Sequence, residues 1–434
     1  MFYDRTNRNL ASILRSPTLA VVAAYALRMF LLWLSQRSQA PPPGFQPVGL
    51  EEGMVAMSLV KGKGFFGPFP GYDALTAWLA PVYPFLWALF YKVFRMNLEG
   101  LNLLGQTMNC VFAAATCWPV YSIAKRLFGE KIGLATAWAW AFLPFAILMP
   151  LEWDWDQSLS ALVLALIVDV TLKLRDSMSP LPWSSYGLLW GFAALVNPAL
   201  CGLLPFALAW LVIRRRQTGA FSPALYARVV VFFVLSVLPW TIRNYEVAQG
   251  WVFIKSNFGV ELWIGNHPAS YQKEVHPIYS FSERMSLIME GEAQYGKSKE
   301  RQAIAYIEAH PGEFLKKSWA RILDTWSARE DAWNDGWVKA LHLSREYIWM
   351  CSLFSVLAFA GLVLSLNDAG WDSLPVALCL VVFPVPYYIT HTAMRYRHPI
   401  DPLMTIFAVY AIAKLWSAVA PRPAMEKLET STAS

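Results

Sequence analysis

The chain of 434 residues is 56% hydrophobic and 15% charged, carries a formal net charge of +6 and includes 21 Trp, 18 Tyr and 26 Phe. Such a mixture excludes an ordinary soluble globular protein and makes the bilayer the solvent for most of the chain. The positive charge does not indicate a nucleic-acid partner, because it sits in short turns between apolar segments (Lys125 with Arg126, Lys173 with Arg175, Arg214 to Arg216), as it does in the cytoplasmic loops of membrane proteins.

Arg5, Arg8 and Arg15 precede the first apolar segment, residues 17–35, whose length fits an uncleaved span with its N-terminus inside better than a signal peptide. Arg28 lies well within that segment, where an unpaired charge costs at least ~2.5 kcal/mol. It is expected to face protein, either as a buried structural partner or as a counter-ion for acidic groups. Residues 36–98 then form a first outer loop. Residues 78–94 inside it are apolar, but a crossing there would put Lys125 and Arg126 outside, and Pro81 and Pro84 spoil a full-length helix. An interfacial or re-entrant helix is expected instead.

Spans follow at 101–123, 132–150 and 159–172, the last two joined outside by a loop carrying Glu152, Asp154 and Asp156. Residues 186–213 have basic residues beyond both ends and a break at Asn197-Pro198, which predicts two short spans meeting at that dipeptide. Residues 229–241 bring the chain out at Arg243. Residues 244–345 are polar, contain no apolar run long enough to span and predict an outer domain. Closing spans are expected at 347–366, 374–389 and 403–416, with Arg395 and Arg397 in an outer turn, followed by a disordered tail over 421–434. The chain is thus expected to be an all-α polytopic membrane protein with a transmembrane core over 1–243, an outer helical domain over 244–345 and C-terminal helices over 346–420. The five cysteines lie within apolar segments without CxxC spacing and are expected as free thiols.

Charge parity puts four polar clusters on one face: Glu51 with Glu52, Asp154 with Asp156, the segment from Arg243, and Arg395 with Arg397. Acids beside cations suit a reaction that deprotonates an acceptor hydroxyl and stabilises a leaving phosphate. Each cluster also has a plainer reading. Glu51 and Glu52 could be a solvated helix start, and Asp154 and Asp156, interleaved with Trp153 and Trp155, could mark a membrane boundary.

In order along the chain, GLEEGMVAMSLVKGKGF, TAWLAPVYP, WDWDQSLSAL, LVNPAL, LPWTIRNY, KSNFGVELWIGNHP and RYRHPIDPL resemble the GT-C superfamily of membrane glycosyltransferases. The likeness is to its bacterial branch, similar to protein O-mannosyltransferases, aminoarabinose transferases and Rgt-type sugar transferases. The resemblance implies a GT-C type helical bundle, with loop helices and a small helical segment outside. It also implies an inverting transfer from a polyprenyl- or dolichyl-phosphate sugar to a protein, lipid or glycan acceptor on the outer face, most simply of a bacterial inner membrane. Glu51 matches the position of the catalytic acid, although Glu51-Glu52 stands where many relatives have Asp-Glu, which leaves open which of the two acts. Asp156 fits the second acid, with Asp154 as the alternative. Arg243, Lys255, Arg395 and Arg397 are the cations that could hold the leaving phosphate. Asn257, Trp263 and Asn266 could contact sugar or acceptor, or form a packed turn. No metal is assigned, though the Asp154/Asp156 pair keeps a divalent ion open. A polytopic transporter or lipid flippase is the competing class; it is disfavoured because the chain shows no related halves with matching interrupted helices.

Overall fold

The computed structural model describes residues 16–38, 51–94, 101–152, 155–268, 270, 277–329 and 343–419. Asp154 and the tail over 421–434 lie outside the described residues. Those residues form helices joined by short turns, with no strand among them beyond one isolated antiparallel bridge, Phe66 to Leu75. Among the described residues seven helices are long and apolar enough to cross a bilayer, or eight if one bent pair counts as a single span.

The first span, α1 (Pro17–Ser38), is followed by α2 (Glu51–Val60) and by α3 (Val82–Phe94), only 13 residues long. α3 is the apolar piece expected not to cross. Pro81 precedes it and Pro84 falls in its first turn, where a missing N–H breaks no intrahelical bond. The expected span at 101–123 is divided into α4 (Leu101–Ala115) and α5 (Cys117–Phe128). Pro119 cannot donate to the Ala115 carbonyl, which accounts for the break at Thr116.

α6 (Glu130–Phe142) and α7 (Pro144–Glu152) meet at 47°. Pro144 has no N–H for the Trp140 carbonyl, and Leu143 before it is extended. Arg28 occupies this break: its guanidinium donates to the carbonyls of Ala141 at 3.1 Å, Ala146 at 3.2 Å and Trp140 at 3.4 Å, and to Ala24 of its own helix at 3.0 Å. The intramembrane arginine therefore serves the backbone of a broken helix and is not the counter-ion of an acidic cluster.

α8 (Gln157–Leu174) is the most enclosed span. α9 (Pro180–Val196) is 17 residues long and ends at Asn197. A 3₁₀ turn (Pro198–Leu203) leads into α10 (Leu204–Gln217), so the expected break at Asn197-Pro198 is present. α11 (Pro223–Val247) packs along α9, where a Cβ at Gly187 would meet the Val229 carbonyl at 2.5 Å and one at Gly191 would meet Ser236 at 2.3 Å. Small residues allow such close backbone approach between apolar helices, where tight packing supplies the attraction.

The polar segment folds as α12 (Phe258–Gly265), α13 (Phe281–Glu290), α14 (Glu292–Ala309) and α15 (Pro311–Ser327). A hydrophobic cluster of Phe65, Phe69, Trp78, Val260, Ile264, Leu287 and Tyr295 fastens these helices to the first loop. The C-terminal bundle comprises α16 (Ser344–Asp368), α17 (Leu374–Val382), α18 (Val385–Ile389), a short α19 (Met394–Arg397) and α20 (Asp401–Val419).

Candidate functional site

Glu51 and Glu52 open α2, where carboxylates gain from the unsatisfied N–H groups of a helix start. The helix is held by Trp87 of α3, a fully buried indole that lies where Cβ atoms would stand on Gly53 of α2 (3.2 Å) and Gly105 of α4 (2.7 Å). Glu51 is half-buried, whereas Glu52 is 8% exposed and one of its carboxyl oxygens has no hydrogen-bond partner among the described residues.

Asp156 stands immediately before α8. Its carboxylate accepts from the Ser160 hydroxyl at 2.9 Å, and Ser160 in turn accepts from the Asn197 amide at 3.4 Å. The Asn197 carbonyl oxygen caps the 3₁₀ turn through the Ala199 N–H at 3.1 Å. The Asn-Pro break thus brings a second polar chain end to Asp156, a contact the sequence assigned only to structure.

The four expected cations divide. Lys255 faces the acids, because its charge acts on Glu51, Glu52 and Asp156 alike. Arg395 acts on Glu51 as well; its guanidinium lies 4.3 Å from the Trp155 ring centre and 4.7 Å from that of Tyr396, and it donates to the Tyr396 hydroxyl. Arg243 is committed elsewhere, donating to the carbonyls of Thr76 and Phe65 and stacking on Trp240 at 4.7 Å. Arg397 departs furthest from expectation. It is 1% exposed, pairs with Asp401 at 2.8 Å and donates to the Thr325 carbonyl at 3.1 Å, so it joins α15 to the C-terminal bundle and does not reach the acids. Arg397 ends α19 and Asp401 opens α20, so the buried pair ties the two helices across the short 3₁₀ turn His398–Ile400 between them.

Of the expected sugar contacts, Asn257 donates to Glu261 at 2.8 Å, Trp263 stacks on His267 at 4.1 Å, and Asn266 is buried on the carbonyls of Leu262 and Ile389. Asn266 is a packing residue. The pair that sequence reasoning missed is Glu261 with His391, whose Nε2 lies 2.5 Å from the Glu261 carboxylate. Glu261 sits inside the SNFGVELWIGN segment, one turn past Asn257. His391 lacks any partner spacing in the sequence, since its acid is 130 residues away.

Electrostatics separate the acids. Burial, then repulsion from Glu261, raise the Glu51 pKa to about 7, against the opposing pull of Lys255, the Trp78 indole and Arg395. Glu52 is pushed well above the ordinary carboxylate range by burial, then by Asp156 and Glu51. Asp156 is raised by burial, while Lys255 and the Ser160 hydroxyl favour its ionised form. Both adjacent acids thus lie above the ordinary carboxylate range, Glu51 at about 7 and Glu52 well above its usual value. Among the described residues no group of three or more His, Cys, Asp or Glu side chains is arranged to hold a metal ion.

An apolar cavity of about 460 Å³ lies between α3, α9 and α11, lined by residues including Val82, Phe85, Leu89, Leu195, Pro239 and Trp240. The Trp240 indole also packs on the first loop, its ring centre 5.0 Å from that of Phe65 and 4.7 Å from the Arg243 guanidinium.

Residues 79–242 match the family model described as dolichyl-phosphate-mannose-protein mannosyltransferase. No curated protein sequence matches the chain. The fold is similar to the crystal structure of the Archaeoglobus fulgidus oligosaccharyltransferase in complex with Zn and sulfate, at TM-score 0.51 and 12% identity, over 93% of this chain and 49% of that one. It is also similar to the same protein tethered to an acceptor peptide containing the NVT sequon, at TM-score 0.56 and 12% identity, over 94% and 50%. The chain spans about half the length of the solved structures it matches.

Proposed function

We propose that this chain is a membrane glycosyltransferase of the GT-C superfamily, in keeping with its family match and fold, and that it transfers a sugar from a polyprenyl-phosphate donor to an acceptor at the outer membrane face, with Glu51 as the base. The observation that carries the proposal is the half-buried Glu51 carboxylate, titrating near neutrality and facing Lys255 and Arg395. A general base works best with a pKa close to the working pH. Glu51 takes the proton of the acceptor hydroxyl as that oxygen bonds to the anomeric carbon. The bond from that carbon to the phosphate oxygen breaks, and the phosphate leaves with the electron pair from the opposite side, inverting the centre. Lys255 and Arg395 stabilise the charge that develops on the leaving phosphate. Arg395, braced between two aromatic rings, presents a planar donor fork of the kind that grips phosphate oxygens. The Lys255 charge acts on Asp156 as well, and the apolar cavity beside Trp240 suits a stretch of prenyl chain.

Replacing Glu51 with Gln tests this directly. Turnover of a polyprenyl-phosphate sugar is expected to fall by about 10²- to 10⁴-fold, the usual contribution of a positioned base. Binding of polyprenyl phosphate should survive. Turnover at the wild-type rate would reject Glu51 as the base.

A further inference from the structure

We infer that Glu292, remote in sequence from every acid considered above, is a positioning residue that holds Trp78 and Lys255 against Glu51 through a four-bond clamp; the inference rests on the function proposed above.

Glu292 is the first residue of α14, following Gly291, whose φ of +78° turns the chain into the helix. The side chain is 2% exposed, yet its carboxylate is fully engaged. One oxygen accepts from the Tyr72 hydroxyl at 3.0 Å and the Thr76 hydroxyl at 2.5 Å. The other accepts from the Ala77 N–H at 2.8 Å and the Ser256 hydroxyl at 2.8 Å. Two oxygens with two lone pairs each receive four donors, which is the full capacity of a carboxylate.

What matters for the site is the identity of the clamped residues. Ala77 and Thr76 adjoin Trp78, and the Thr76 hydroxyl oxygen also accepts the Trp78 N–H at 2.9 Å. Ser256 adjoins Lys255, and its own N–H donates to the Ala77 carbonyl at 2.9 Å. Arg243 grips the same stretch from the other side through the Thr76 carbonyl. Glu292 therefore fixes, through one buried carboxylate, the relative position of two segments whose next residues are the indole and the ammonium that act on Glu51.

Zero-length carbodiimide crosslinking of the purified full chain reads this geometry without any sugar donor. A crosslink between Lys255 and the peptide carrying Glu51 and Glu52 is expected in the wild type. A second crosslink, between Lys299 and Glu283 at 2.8 Å, reports the integrity of the α13–α14 region. Glu292→Ala should lower the first by roughly tenfold, the effect of losing a hydrogen bond to a charged group, and leave the second unchanged. Glu292→Gln keeps an acceptor for Ala77 and lets the Thr76 and Tyr72 hydroxyls rotate to accept, so it should retain most of the first crosslink. In transfer assays Glu292→Ala should lower turnover more than it weakens binding of polyprenyl phosphate. An unchanged first crosslink in Glu292→Ala, or parallel loss of both, would overturn the inference. Neither result would bear on Glu51→Gln, whose transfer assay tests the proposed function separately.

Discussion

At Glu51 and Glu52 two adjacent carboxyls have been given different protonation behaviour by position alone. Glu51, half-buried, is raised to about 7 by burial and Glu261 against the pull of Lys255 and Arg395; Glu52, nearly enclosed, is raised well above the ordinary carboxylate range by burial, then by Asp156 and Glu51. A base must be ionised to act, so turnover should climb as pH rises through about 7 and be lost below it. Because the base role is assigned to Glu51, Glu52→Gln should keep turnover within about threefold, with the acid limb of the pH profile near its wild-type position. A loss in Glu52→Gln as deep as that in Glu51→Gln would transfer the base role to Glu52. A pH profile flat across neutrality would deny that either acid titrates in the reaction.

At the scale of helices, the breaks govern where the site stands, and each break has a local cause. Pro144 separates α6 from α7 and leaves carbonyls without donors in an apolar setting, where each orphan costs about 1–3 kcal/mol. Arg28 supplies the donors from the neighbouring span. Arg28→Met fills similar volume without donors, so it should destabilise the detergent-solubilised protein by about 2–4 kcal/mol, read as a lowered unfolding midpoint. An unchanged midpoint would show that water or rearranged backbone serves these carbonyls. Most of this layer was legible from the sequence, because apolar runs and Pro or Asn-Pro punctuation act locally. The runs at 17–35, 159–172 and 229–241 became α1, α8 and α11, and Asn197-Pro198 ended α9. Local contacts of the candidate site, such as Asp156 with Ser160 one turn on, follow from spacing, whereas those made across the chain do not. Arg397 was misassigned because its burial depends on α15, and Glu261 with His391 was missed because the contact spans 130 residues.

Across the whole molecule, two charged regions of opposite character lie at opposite ends of one span. Asp156 begins α8, beside Glu52 and Lys255; at the far end Arg175 and Arg214 share Asp372, and Arg215 donates to the carbonyls of Leu174 and Ser177. Eighteen residues at 1.5 Å each separate the two regions by about 27 Å, close to the thickness of a bilayer's hydrocarbon core. The basic end carries the Arg and Lys excess that marks a cytoplasmic surface. The acidic end, with the first loop and α12 to α15, should then face outward, where a lipid-linked donor would be used. Asp73 at the acidic end and Thr218 at the basic end are both exposed. In intact cells a membrane-impermeant maleimide should label Asp73→Cys, whereas Thr218→Cys should react only after permeabilisation. Of the five native thiols, Cys110, Cys117, Cys351 and Cys379 are buried and Cys201 is half-buried, so both variants are read against the labelling of the parent chain. Labelling of Thr218→Cys alone in intact cells would invert the orientation, and the donor would have to be sought on the cytoplasmic leaflet.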